Sequence, residues 1–152
     1  MKKIFLISTF AFLASCTSVQ NTPKQDFNWN GANLYFAVTD RFNNGNPNND
    51  VNFSRTEKAA TLRGFEGGDI RGVIQKIDEG YFNKLGINAI WLTPIVEQIH
   101  GATDEGTGKT YAYHGYWTKD WTALDPNFGT EKDLKELVDK AHKQGIRIVL
   151  DA

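Results

Sequence analysis

Three short runs of apolar residues punctuate the chain, at 33–38 (NLYFAV), 87–92 (INAIWL) and 146–150 (IRIVL). Each is rich in branched or aromatic side chains and short for a helix, so each predicts a buried strand. Between the first two runs, Ile70, Val73, Ile74, Ile77, Tyr81, Phe82 and Leu85 recur at spacings of three and four, which lines one face of a helix. Asp69 stands where that helix needs a cap, Gly80 interrupts the pattern, and Gly86 marks its end. A second helix is predicted from Thr130, where Asp133 completes a capping box and Leu134, Leu137, Val138 and Ala141 form the apolar face. Lys140, His142 and Lys143 suit the negative end of its dipole, which reads His142 as a surface charge.

The order strand, helix, strand, helix, strand predicts an α/β fold with a parallel sheet and right-handed crossovers. Two architectures are compatible with it. An open doubly wound sheet suits the length, but no glycine-rich phosphate loop follows the first strand. A (β/α)8 TIM barrel takes about 250 residues. These 152 would hold only its first three strands and two helices, a truncated barrel.

Composition narrows the partners. With 40% hydrophobic and 23% charged residues the chain is neither disordered nor of low complexity. Its 17 basic and 18 acidic residues give a net charge of -1, which leaves no electrostatic footprint for nucleic acid or an anionic membrane surface. Oligomeric state has no signature in the sequence. At the start, Lys2 and Lys3 precede an apolar run at 4–13 that is too short to span a bilayer and has the form of a secretory signal. The single cysteine cannot form an internal disulfide. Leu13-Ala14-Ser15-Cys16 resembles the bacterial lipoprotein signal. That likeness implies a signal peptide over 1–15, a lipid on Cys16, a polar tether over 16–30 and a folded part over 31–152. The expected location is a bacterial membrane, on its periplasmic face or at the cell surface, reached through the N-terminal lipid alone.

Two segments stand outside the predicted elements. Residues 43–52 (NNGNPNNDVN) hold six asparagines with one aspartate, one glycine and one proline, which is a loop. Residues 110–121 (TYAYHGYWTKDW) surround His114 with Tyr111, Tyr113, Tyr116, Trp117 and Trp121. Flat rings suit the apolar faces of sugars and an imidazole can bond their hydroxyls. A buried aromatic cluster with a satisfied histidine accounts for the same residues.

Several motifs in order resemble the α-amylase family, glycoside hydrolase family 13, above all its cyclodextrin glucanotransferase and maltogenic amylase members. They are Tyr35 with Thr39-Asp40-Arg41-Phe42, Asn44-Gly45-Asn46-Pro47, Gly67-Gly68-Asp69, the run 86–92, Tyr113-His114-Gly115-Tyr116-Trp117, Asp125-Pro126, Phe128-Gly129-Thr130 and Val149-Leu150-Asp151. The resemblance implies a barrel with its active site at the carboxyl ends of the strands. It implies a Ca²⁺ site from Asn44, Asn46, Asn49, Asp50, the Gly67 carbonyl and Asp69, oxygen donors of the kind calcium prefers. Asn44 departs from the aspartate frequent in those relatives, and Asp50 from their asparagine, so two carboxylates remain in the set. A run of Asx turns with Asp69 acting only as a cap is the competing explanation.

For the aromatic stretch the family implies that His114 bonds a glucosyl unit beside the scissile bond and Tyr116 stacks on it, with Tyr113 and Trp117 as neighbours. Trp121, Trp91 and Phe128 are assigned to the core, and His100 to a loop. Asp151 supports the site and is not the nucleophile. The implied reaction is retaining cleavage of α-glucosidic bonds in starch or maltodextrin, with the two reacting carboxylates about 5–5.5 Å apart. In the family those groups come from later strands, so these 152 residues are expected to lack the covalent chemistry and to be inactive alone. The alternative is a non-catalytic, surface-anchored glucan-binding protein. Hydrolysis versus transfer stays open.

Overall fold

The computed structural model describes residues 26–57 and 63–152. The first apolar run forms strand β1 (Leu34–Ala37), which passes directly into a single helical turn, α1 (Thr39–Phe42). The backbone N–H of Thr39 donates to Thr93 Oγ1 at 3.0 Å, pinning the end of β1 to the segment that follows the second strand. The asparagine-rich loop contains a 3₁₀ turn, Pro47–Asn49, capped by Asn46.

Helix α2 (Ile70–Asp78) begins as expected, with Asp69 Oδ1 accepting the Gly72 N–H at 2.7 Å. The helix does not run on to Gly86. Gly80 adopts a left-handed conformation with φ +69°, and the chain restarts as α3 (Tyr81–Lys84). Because the break rotates the following turn, Phe82 stays buried but Leu85, predicted on the buried face, is 53% exposed.

Strand β2 (Ala89–Leu92) follows. The connection after it is more ordered than its composition suggests. It folds into β3 (Val96–Gln98), β4 (Thr103–Asp104), β5 (Lys109–Thr110) and β6 (Thr118–Leu124), with β3 antiparallel to β6 and β4 antiparallel to β5. Helix α4 (Glu131–Lys143) then starts with both halves of the predicted Thr130/Asp133 capping box in place. The chain returns as β7 (Arg147–Leu150), whose parallel pairing with β2 completes a sheet of order β1-β2-β7.

One face of this sheet is covered by the helices. Ile70, Val73, Ile74, Ile77 and Phe82 pack with Ile90, Leu92, Leu137, Ala141 and Ile146 in a single core. Each large aliphatic or aromatic side chain buried there contributes roughly 1.5–3 kcal/mol. The other face is open. Phe36, Trp91 and Val149 sit in register across it, with the Phe36 and Trp91 rings 5.0 Å apart, so Trp91 is half-buried on this face rather than in the core assigned to it. Phe128, by contrast, is fully buried as expected.

Of the stretch read as a tether, 26–30 is described. There Phe27 packs edge-on against Trp29 at 4.6 Å and lies under the Arg147 guanidinium at 5.0 Å. The signal segment and Cys16 lie outside the described residues. Among the described residues no helix is long and apolar enough to cross a membrane.

Candidate functional site

The aromatic segment rests on the carboxyl end of β2. Gly115 has φ +89°, and a Cβ there would lie 2.2 Å from the Pro94 carbonyl oxygen, so only glycine lets the chain pass this close. Seated in this way, His114 Nδ1 accepts the Tyr116 backbone N–H at 2.9 Å. Burial lowers the His114 pKa below the usual imidazole value. The ring is therefore neutral near pH 7, and with Nδ1 already accepting, its proton sits on Nε2 as a donor.

The other rings are arranged around it. Tyr116 stacks on His114 with centroids 5.8 Å apart and planes at 17°, and is 53% exposed. Its hydroxyl donates to Asp151 Oδ2 at 2.7 Å, a bond that raises the phenol pKa and keeps it protonated. Trp117 meets His114 edge-on at 4.8 Å and Tyr113 does so at 5.3 Å. Arg41 covers the Tyr113 ring at 3.8 Å. The structure thus brings His114, Tyr113, Tyr116, Trp117 and Asp151 to one place at the carboxyl end of the sheet.

Trp121 does not join them, nor does it enter the core. It is 62% exposed on β6. The β3–β6 register jumps from Val96 opposite Leu124 to Glu97 opposite Asp120, so 121–123 form a bulge with no residue of β3 across from them. His100 has a structural place in its loop, stacked on Phe53 at 3.8 Å and bonded to Glu97 at 2.7 Å.

The six candidate metal ligands are less uniform. Asn44 Nδ2 donates to both oxygens of Asp50, at 2.9 and 3.0 Å. Gly67, with φ +90°, is pressed against this pair; a Cβ there would fall 2.3 Å from Asn44 Nδ2 and 2.6 Å from Asp50 Oδ1. Asp69 is fully buried, and its Oδ1 takes the N–H groups of Gly72 and Gly45, at 2.7 and 3.0 Å. Its Oδ2 is buried with no hydrogen-bond partner, as are both side-chain polar atoms of Asn49. Asn46 Oδ1 faces its own turn, accepting from Asn48. Capping therefore explains one oxygen of Asp69 and leaves the other, with the Asn49 amide, unexplained.

Such buried acceptors are costly without a donor or a cation. Among the described residues no three His, Cys, Asp or Glu side chains lie close enough together to hold a metal ion, so a cation here has to rely on amide and backbone oxygens. Asn44, Asn49, Asp50, Asp69 and the Gly67 backbone offer that chemistry and fit a hard divalent ion.

Two buried groups behind these segments have no site role predicted from the sequence, where Asp40 appears only within a family motif and Arg55 in none. Asp40 accepts the N–H groups of Glu66 and Gly67 and pairs with Arg41. Burial nevertheless pushes its carboxyl up to about 6. Arg55 forms a fork with Asp125, whose two oxygens lie 2.9 and 2.8 Å from its terminal nitrogens. Its partners Asp125 and Asn127 are 70 and 72 residues away, beyond any local spacing rule.

Residues 36–152 match the family model of the α-amylase catalytic domain. The chain is 50% identical over 129 residues to a periplasmic α-amylase of Escherichia coli K12, covering 82% of this chain and 19% of that one. It is 40% identical over 136 residues to a cyclomaltodextrin glucanotransferase of Bacillus sp. strain 1011, covering 89% and 18%. Among solved structures, the γ-cyclodextrin glucanotransferase of alkalophilic Bacillus clarkii superposes with a TM-score of 0.74 at 34% identity, over 84% of this chain and 19% of that one. An α-amylase of Geobacillus thermoleovorans in complex with acarbose gives 0.61 at 40%, over 81% and 23%. The chain spans about a fifth of the length of the curated relatives it matches.

Proposed function

Since the chain belongs to the α-amylase catalytic-domain family, we propose that it is part of a retaining glycosidase or glucanotransferase acting on α-glucans, to which it contributes glucose contacts. The observation that supports this reading is the His114–Tyr116–Asp151 cluster. A neutral imidazole offers Nε2–H to a sugar hydroxyl beside an exposed tyrosine face, at the strand ends where barrel enzymes keep their sites. Asp151, bonded to Tyr116, holds that ring in place and adds negative charge beside the sugar. The nucleophile and the acid/base carboxylate are assigned to strands other than these three. The similar proteins named above are amylases and glucanotransferases, and the reading is carried over from them.

In the full-length protein, His114→Ala is expected to lower kcat/KM on starch and maltohexaose by at least about tenfold, the scale of one lost hydrogen bond to a bound ligand. Unchanged turnover would remove His114 from the site. Full glucan binding with no hydrolysis or transfer by the wild-type protein would favour a binding protein instead.

The cation loop belongs to the same proposal. Asn44, Asn49, Asp50, Asp69 and the Gly67 carbonyl would hold Ca²⁺, which would supply charge to a loop that otherwise buries bare acceptors. Asn46, turned toward Asn48, would have to rotate to take part. Lipid attachment at Cys16 is proposed from the sequence alone. Wild-type protein expressed in a bacterium should partition into Triton X-114 and Cys16→Ser should not; equal partitioning of the two would refute the anchor.

A further inference from the structure

We infer that Arg55 is a positioning residue that couples the proposed cation loop to the glucan-contacting segment. The inference rests on both readings above and adds a link between them. That link can be followed atom by atom. Asn127 Nδ2 donates to the backbone oxygen of Asp50, a candidate cation ligand, at 2.7 Å. Asn127 Oδ1 accepts from Arg55 at 2.7 Å. The second terminal nitrogen of Arg55 donates to the Gln98 carbonyl at 3.0 Å, and the Gln98 N–H donates to Asp125 at 2.9 Å. The Gln98 side-chain oxygen then accepts the backbone N–H of Trp117 at 2.8 Å, inside the aromatic segment.

The linking side chains between its two half-buried ends are buried: Gln98, Asp125 and Asn127 are at most 2% exposed and the Arg55 side chain 1%. A buried ion pair is weak evidence for stability, because apolar residues of similar volume commonly do as well. Its selective advantage lies in direction. A planar guanidinium fork fixes several acceptors at once, which neither a hydrophobic side chain nor lysine can reproduce. The fold also spends strain on placing it. Phe53 and Ser54, immediately before Arg55, both lie in the left-handed region, with φ 51° and 55°. The rings of Phe65 and Phe53 flank the guanidinium at 4.8 and 5.0 Å. A shift of the Asp50 backbone would thus pass through Asn127, the charge-assisted bonds of Arg55 and Gln98 to the backbone of Trp117, whose ring lies against His114.

The coupling is tested on the full-length protein by titration calorimetry with CaCl₂ and acarbose as probes, each alone and in the presence of the other. In the wild type, calcium should tighten acarbose at least about fivefold, and acarbose should tighten calcium by the same factor, as linkage requires. Asn127→Ala keeps the Arg55–Asp125 pair but severs the bond to Asp50. Arg55→Lys keeps the charge but loses the fork. In both, each probe should still bind alone while the coupling factor falls to about one. If Arg55→Lys does not fold, Asn127→Ala decides. An undiminished factor in Asn127→Ala overturns the inference, as does calcium binding in the wild type with no effect on acarbose. Absence of calcium binding in the wild type would overturn the cation reading and this inference together.

Discussion

The asparagine-rich loop and the aromatic segment are both irregular, both polar in part and both next to strand ends, yet their hydrogen bonding is opposite. In the loop and the Asp69 cap packed against it, Asp69 Oδ2 and the Asn49 side-chain amide are buried with no hydrogen-bond partner. In the segment, the Tyr116 N–H and hydroxyl are bonded to His114 Nδ1 and Asp151, which fixes both rings and leaves His114 Nε2–H and the exposed Tyr116 face to meet a partner. The first arrangement is electrostatically incomplete and favours a positive ion. The second is positioned before any ligand arrives, which suits a neutral, hydroxyl-rich partner that gains little from charge but much from a rigid surface.

Each side of that contrast can be broken separately. The largest effect should come from removing what joins the two regions. Arg55→Met leaves Asp125 buried without its partner and should destabilise the full-length protein by about 3–5 kcal/mol in urea unfolding; a loss under about 1 kcal/mol would mean water replaces the guanidinium. Next, Gly115→Ala should lift the aromatic segment off Pro94. A shift of about 1 Å in His114 is expected to lower kcat/KM by about 100-fold, with a lower melting temperature from the strained backbone at this position.

Chelation should act on the other region. Stripping calcium should lower the melting temperature, with up to about 2.7 kcal/mol lost relative to an ion concentration 100 times Kd. His114→Ala should leave this shift intact, and an equal chelator response in Asp69→Asn would take Asp69 out of the ligand set. The smallest effect concerns protons. The folded pKa of His114 is depressed, so its contribution to stability is complete above the unfolded value of about 6.5 and is lost as pH falls through the folded value. Protonation also puts a hydrogen on Nδ1, against the Tyr116 N–H. Acarbose affinity should therefore weaken on acidification in wild type and stay flat in His114→Gln, both measured by calorimetry.

The parallel strands and α4 were legible in the sequence because their signals are local: apolar runs for β1, β2 and β7, and a capping box with a spaced apolar face for α4. Gly80 was visible as a disturbance, but whether it bends a helix or ends one depends on the left-handed φ it adopts. The ribbons β3–β6 and β4–β5 were not legible, since β3, β4 and β5 are only two or three residues long and the longer β6 is interrupted by a bulge. The same bulge that hides the ribbon hides the exposure of Trp121, which ring chemistry alone assigns to a core. Within the site, the clustering of rings around His114 could be read directly. Which nitrogen of His114 carries the proton could not, because that follows from a backbone N–H two residues on. Arg55 was silent for a different reason. One arginine among polar neighbours has no pattern until folding brings Asp125 and Asn127 to it.

Gly115 also sets a boundary for anyone wishing to alter what this surface recognises. With the Pro94 oxygen 2.2 Å from where a Cβ would stand, a library that varies position 115 will consist mostly of misfolded loops. Diversity is better placed at Tyr113 and Trp117, whose rings border His114 without carrying the backbone past Pro94. The glycine between histidine and tyrosine thus divides the segment into a part that selection can tune and a part it has to keep.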